Sequence, residues 1–279
     1  MTNHRFAAFT LNLVTPLHLG SGRAGMVAKS HAFVPAHLFS YALAAQYGRR
    51  HGGQPTDFET GLAAVNAAVR FGPALVLNDQ RQIAADWLDQ PQRYLSGQHH
   101  VALELDTRSA ADSALFETEY LSTHYLAGSD KGKPLRLGGG MWFAEETFAG
   151  RPWQDWLNEL RLGGELKSGL GHIRLADWQP DRTDFHGWGR TDGQGLQLDS
   201  GQHLWGAALD SIPDSVLSDA PLRPWLGRSY DFSRGHGGFG RHLDRVALVR
   251  LHARYIHSDP GRFMPARRTG WQWGCWEPC

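Results

Sequence analysis

The residues best placed to do chemistry lie in glycine-rich stretches. Residues 15–25 read TPLHLGSGRAG, with Gly20, Gly22 and Gly25 spaced as G-x-G-x-x-G. That spacing cradles a dinucleotide pyrophosphate when a strand precedes it and a helix starts directly after it. Here MVAKSHAFVPAHLF follows, and the next helical pattern opens only after Pro35. The fingerprint also needs an acid about 20 residues further on, to hold a ribose. Ala44, Ala45, Gln46 and Tyr47 stand there instead, inside a helical stretch. The same spacing recurs at Gly235, Gly237 and Gly240, again without a strand and helix around it. With 33 glycines in the chain, chance matches are expected, and a nucleotide-cofactor enzyme is kept only as an alternative. The chain has neither a G-x-x-x-x-G-K-[ST] phosphate loop nor a G-x-S-x-G nucleophile elbow.

A second stretch, LRLGGELKSGLGHIR, is better equipped for phosphate. Gly163, Gly164, Gly169 and Gly171 bracket Lys167 and Ser168, with Arg161 and Arg174 on the flanks. Glycine lets backbone N–H groups approach a phosphate, lysine neutralises it, and a serine hydroxyl donates to it. In the first stretch Gly20, Gly22, Arg23, Lys29, Ser30 and His31 offer the same set. Single-stranded bases stack on flat side chains, and His18, His31, Trp142 and Phe143 are candidate platforms. For both stretches the competing reading is a turn with a purely structural role.

Other clusters are weaker. His18 and His31 are candidates for general acid–base chemistry; a stacking or surface histidine is the competing reading. Cys275 and Cys279, even with His252 or His257 nearby in sequence, form no recognisable zinc motif. No metal and no other cofactor is expected. Asp106 and Arg108 suit a turn or a salt bridge. Trp271, Trp273 and Trp276, preceded by Arg262, Arg267 and Arg268, suit a subunit interface or a cover over the core.

The elements that must position these residues follow from hydrophobic period. FAAFTLNLV (6–14) alternates as a strand. Pro35 opens a helix over AHLFSYALAAQYGRR, which Gly52 and Gly53 stop. A second helix is predicted at 57–69, then a strand and turn in RFGPALVLND. HHVALEL reads as a strand, SALFETEYL as a short extended or mixed piece, and LGGGMWFAEE as a strand. RPWQDWLNELRLGG is predicted helical with Trp153, Trp156, Leu157 and Leu160 on one side. KSGLG is a turn, HIRLADW a strand, and 180–235 a run of loops and short strands. Val and Ile favour strand over helix at 244–256. The order predicts an α+β chain of two halves, 1–95 and 96–279, each a small sheet with helices on one face.

Composition sets the outer bounds. At 279 residues, 41% hydrophobic and 20% charged, the chain has material for a buried core. It has no apolar run long enough to span a membrane and no signal-peptide core at its start, so no membrane partner is expected. The two cysteines lie in the last five residues, which argues against a disulfide framework and for the cytoplasm. Formal net charge is zero, against non-specific coating of nucleic acid. The 24 Arg and 4 Lys are unevenly spread, however. Residues 219–279 carry a balance of +5 and residues 70–130 one of −5. A neutral total can therefore hide a basic face.

Three segments together carry a resemblance. LNLVTPLHLGSGRAG with SHAFVPAHLFSYALA, HHVALELDTRSAADSALFETEYL with its LF-x-x-E strand, and LRLGGELKSGLGHIRL resemble the RAMP superfamily of CRISPR–Cas proteins. The matches span roughly residues 8–178, and SRGHGGFGRHLD with DPGRFMP resembles the family's C-terminal glycine segment. The Pro–Gly–Ser–Ser–Leu–Lys stretch of the repeated backbone subunits is absent; Pro35–Ala36–His37–Leu38 stands in its place. The wording is most similar to the type III (Csm/Cmr-like) subunit that caps the guide-RNA 5′ end. The resemblance implies tandem ferredoxin-like (RRM-like) halves and a non-catalytic hold on the repeat-derived 5′ tag of guide RNA. It also implies contact with the large palm-domain subunit and the first backbone subunit. Some members of the superfamily cut precursor guide RNA with a histidine, so an endoribonuclease using His18 or His31 is the alternative.

Overall fold

The computed structural model describes residues 4–84, 87–104, 106, 109–220, 222–229, 242–266 and 274–279. In chain order, β1 (Arg5–Leu13) leads to a hairpin, β2 (Gly20–Ala24) and β3 (Val27–Ser30). Helices α1 (Ala36–Arg50) and α2 (Pro55–Ala68) follow, then short strands β4 (Val69–Phe71) and β5 (Leu75–Val76). A long hairpin, β6 (Leu95–Leu103) and β7 (Ala110–Leu121), precedes β8 (Arg136–Phe143). The small hairpin β9 (Thr147–Phe148) and β10 (Arg151–Pro152) opens α3 (Trp153–Asn158), and β11 (Ile173–Pro180) comes next. The remaining strands are β12 (Arg190–Asp192), β13 (Gly195–Leu198), β14 (His203–Leu209), β15 (Leu217–Ser218), β16 (Leu222–Ser229), β17 (His242–Tyr255), β18 (Gly261–Pro265) and β19 (Trp276–Pro278). The molecule is mixed α/β and mostly sheet, with few helices.

The first sheet has the order β11-β1-β8-β4, with β5 also on β8. Its elements run β-α-β-β-α-β along the chain, counting the α1–α2 pair and α3 as the two helical crossings. The division expected near residue 95 falls between strands of this one sheet. β1 is its axis: Phe9 faces Gly139 on β8 and Trp178 on β11. Both faces of β1 are covered, so residues 6–11 are all buried.

The helices begin where the chain chemistry says. Pro35 precedes the first turn of α1, and Arg49 and Arg50 stand in its last turn against the negative end of the dipole. α2 has Pro55 in its first turn and a capping box between Gln54 and Asp57. α3 is shorter than the sequence pattern predicts. Trp153, Trp156 and Leu157 are buried as expected, but the helix ends at Asn158. Beyond it Arg161 bridges to His172 and the Leu162 N–H donates to the Gly171 carbonyl at 2.9 Å. Those extended pairings compete with another helical turn and win.

The second sheet holds the eight strands β12 to β19, and β17 is a strand as its β-branched residues predict. The two sheets share a core. Trp142 of β8 meets Trp276 of β19 edge-on at 6.0 Å, and its indole N–H donates to the Asp192 carbonyl at 2.8 Å. Trp276 is therefore a core residue, while Trp271, Trp273, Arg267 and Arg268 lie outside the described residues. Trp142 and Phe143 are buried too, which removes them as base-stacking platforms. Among the described residues no helix is long and apolar enough to cross a membrane.

Candidate nucleic-acid interface

The residues between β1 and β2 form a ribbon held on both sides. On one side Leu17 exchanges two backbone hydrogen bonds with Leu121 at the end of β7, at 3.0 and 2.8 Å. On the other side the loop 162–171 closes over it. The Gly164 N–H donates to the His18 carbonyl at 2.8 Å, and the Gly171 N–H donates to the Pro16 carbonyl at 2.9 Å. The two glycine stretches of the sequence thus meet along residues 15–20.

Close approach explains the glycines at the crossing. At Gly163, with φ +86°, a Cβ would stand 2.3 Å from the His18 carbonyl oxygen. At Gly171, with φ +88°, a Cβ would stand 2.5 Å from the Leu162 carbonyl oxygen. No side chain fits either place, and both dihedrals favour glycine.

Glu119 on β7 joins the third motif segment to the other two. It is the final residue of the LF-x-x-E stretch. Its backbone carbonyl takes the His18 Nδ1 at 2.6 Å. One carboxylate oxygen accepts from Lys29 Nζ at 3.1 Å, and the other accepts the Ser30 N–H at 2.9 Å. The Ser30 hydroxyl in turn accepts the Leu19 N–H at 2.9 Å. The sequence motif pointed to this glutamate, but nothing in its type revealed the backbone carbonyl that orients His18.

The outer rim is exposed and basic. β2, which is Gly20, Ser21, Gly22, Arg23 and Ala24, is exposed throughout. It is a strand running into a hairpin rather than a loop entering a helix, so no helix N-terminus backs it for a pyrophosphate. Lys167, Ser168, Gly169 and Arg174 are also exposed. Arg161 and Arg174 flank His172, and burial together with these two charges holds its imidazole below the ordinary range. Lys29 is tied to Glu119, which leaves Arg23, Arg161, Lys167 and Arg174 as the exposed cations of the two glycine stretches.

The loop's main chain is largely occupied. The Ser168 and Leu170 N–H groups donate to the Glu165 carbonyl, and the Gly169 N–H donates to the Leu166 carbonyl. The Ser168 hydroxyl donates to the Glu165 carboxylate at 3.3 Å. The loop therefore offers the Lys167 side chain, rather than a nest of free amides, to an anion.

His31 belongs elsewhere. Its N–H donates to the Leu19 carbonyl, but its ring packs with Phe33 and Trp225, each at 5.2 Å. His37 also meets Trp225, and His252 meets Phe33 and Trp87. Burial pushes His31 down to about 4, and His37 and His252 down to about 3. The ring of His31 is thus a neutral part of an aromatic cluster between α1 and the second sheet, apart from the glycine rim. A small cavity lined by Phe33, His37, Trp225 and Cys275 adjoins the cluster and shares no lining residue with the rim.

Cys275 is buried, and burial pushes its thiol up to about 12, while Cys279 is exposed. Among the described residues no three His, Cys, Asp or Glu side chains converge as metal ligands. Asp106 is exposed, and Arg108 lies outside the described residues, as do Gly235, Gly237 and Gly240.

No protein-family model matches the sequence, and no curated protein does. Solved structures do. One is a chain of the type III-B Cmr-beta complex bound to cognate target RNA, at 11% identity and a TM-score of 0.43, over 62% of this chain and 96% of that one. Another comes from that complex with target RNA and AMPPnP, at 9% identity and a TM-score of 0.49, over 89% and 86%. A third is a CRISPR protein from Archaeoglobus fulgidus, at 12% identity and a TM-score of 0.39, over 99% of both chains.

Proposed function

We propose that this chain is a guide-RNA-binding subunit of a type III CRISPR effector complex, holding the repeat-derived 5′ tag without cutting it. The observation that carries the proposal is the junction at residues 15–20. All three segments of the sequence resemblance, far apart in the chain, meet there and present an exposed strip with Arg23, Lys167 and Arg174 around it. Backbone-directed binding of this kind positions an RNA, while base pairing by the guide supplies target specificity. In this reading the first sheet is a ferredoxin-like half and β12 to β19 form its counterpart. The partners are the large palm-domain subunit and the first backbone subunit, in the cytoplasm.

A second reading, a metal-independent endoribonuclease, draws on one observation: His18 is held in a single orientation by the Glu119 carbonyl. Such an enzyme needs a further acid or base at the scissile phosphate, and His31, the other candidate, is engaged in the aromatic cluster.

The full chain incubated with repeat RNA separates the two. Binding without cleavage is expected, with Lys167→Ala weakening the complex about fivefold through loss of a charge-assisted contact. Single-site cleavage that disappears in His18→Ala would establish the nuclease instead.

A further inference from the structure

His18 is held in a way that the phosphate-binding role does not require. A backbone carbonyl only accepts, so the His18 Nδ1 lying 2.6 Å from the Glu119 oxygen carries the proton. In the neutral ring Nε2 is then a pure acceptor. This nitrogen lies beside Gly20: a Cβ at position 20 would come within 3.6 Å of it. Gly20 is exposed, lies in β2 and has no positive φ, so backbone conformation does not account for the glycine. Its missing side chain leaves unfilled the space beside Nε2, where a Cβ would sit in ordinary van der Waals contact next to the exposed strand. On the other side Gly164 is equally bare, with its Cβ position 3.2 Å from His18 Cδ2.

We infer that His18 Nε2 accepts the 2′-hydroxyl of a nucleotide whose phosphate lies along the glycine rim, making His18 the residue that distinguishes RNA from DNA. This rests on the RNA-binding reading above. The chemistry selects the sugar over the base. An acceptor needs a donor, and in the sugar–phosphate backbone the 2′-hydroxyl is the donor that RNA has and DNA lacks. A base edge also carries N–H donors, but a splayed base is ordinarily fixed by stacking on a flat side chain. Among the described residues the ring of His18 is bordered by glycines and by backbone, with no aromatic ring stacked on it. The hydroxyl proton is shared with Nε2 and no bond is broken, so His18 acts here in recognition.

The test is binding of the full chain to fluorescent single-stranded repeat RNA, and to the same oligomer with 2′-fluoro and with 2′-deoxy sugars. The 2′-fluoro form keeps an RNA-like sugar pucker and removes the donor. Wild type is expected to bind the ribose form about fivefold tighter than the 2′-fluoro form, the effect of one hydrogen bond. His18→Asn keeps a side-chain N–H for the Glu119 carbonyl and loses the second nitrogen, so it is expected to bind the two alike. Gly20→Val, which leaves His18 in place and covers Nε2, is expected to do the same. Lys167→Ala is expected to weaken all sugar forms by a common factor. Equal affinity of wild type for ribose and 2′-fluoro forms overturns the inference while leaving RNA binding intact, as does a preference that survives in both His18→Asn and Gly20→Val. Absence of binding to all three oligomers overturns the RNA reading itself. Cleavage of only the ribose form, lost in His18→Asn, overturns the recognition role by making Nε2 a base.

Discussion

At the scale of single residues, the histidines divide by environment. His18 keeps one nitrogen for the Glu119 carbonyl and has the other beside bare Gly20, whereas His31, His37 and His252 are enclosed with Phe33, Trp87 and Trp225. The enclosed three have a consequence for stability. Their folded values, about 4 for His31 and about 3 for His37 and His252, lie below the ordinary 6.5. Between those limits the unfolded chain binds more protons than the folded one, so stability rises with pH. The penalty is absent above about 6.5, grows as pH falls, and levels off near 4 for His31 and near 3 for His37 and His252. At pH 5 a histidine held near 4 costs roughly 2 kcal/mol. Around the cluster, Arg223 and His203 also hold His252 down, and His31 does so for its two neighbours. We expect thermal unfolding to shift down steadily from pH 7 to pH 4.5, and a His31→Phe variant to show a shallower slope. A pH-independent melting temperature would contradict this. Sequence alone placed His31 next to Lys29 as a ligand, because spacing says nothing about which way a ring turns. Its neighbours come from residues 33, 87 and 225, and only the fold brings those together.

At the scale of elements, most of the first sheet was legible and the site's own strand was not. β1 shows apolar alternation, the segments of β8 and β11 read as strands, and α1 and α2 have proline starts and glycine or strand ends that physics can read directly. β2 has no apolar alternation to read: GSGRA is exposed at every position and is a strand through pairing with β3, which itself lies parallel to β7. The loop 162–171 shows its glycines in the sequence but not their reasons. Gly163 and Gly169 share a φ of +86°, yet a Cβ at Gly163 meets the His18 carbonyl at 2.3 Å and one at Gly169 meets nothing within 4 Å. Gly169→Ala is therefore expected to cost only the backbone strain, about 1 kcal/mol. Gly163→Ala adds a clash with main chain that cannot rotate away, and is expected to cost about 3 kcal/mol or more. Denaturant titration of the two variants checks the difference; equal losses would mean that the loop does not clamp the ribbon as described.

At the scale of the whole molecule, what sequence could not supply is which distant strands become neighbours. β1 pairs with β8 and β11, more than a hundred residues on, through main-chain bonds that leave no mark on composition. The site inherits that limit, since its three segments meet only because β1 and β7 end, and β11 begins, near one another. Charge is a whole-molecule property of the same kind. The chain is neutral in sum, so RNA affinity needs a local excess of cations, which the proposed reading places at the rim. Each phosphate neutralised on a single strand releases counterions and adds about −0.7 to the slope of log affinity against log salt. With Arg23, Lys167, Arg161 and Arg174 at the rim, the slope is expected near −3. Lys167→Ala is expected to flatten it by about 0.7, because the loop amides are occupied and, in the proposed reading, leave that side chain to meet the phosphate. His18→Asn is expected to leave the slope unchanged while lowering affinity for the ribose form, since a hydroxyl contact releases no counterion. A slope that changes with His18 but not with Lys167 would reverse the division of labour assigned to the two residues.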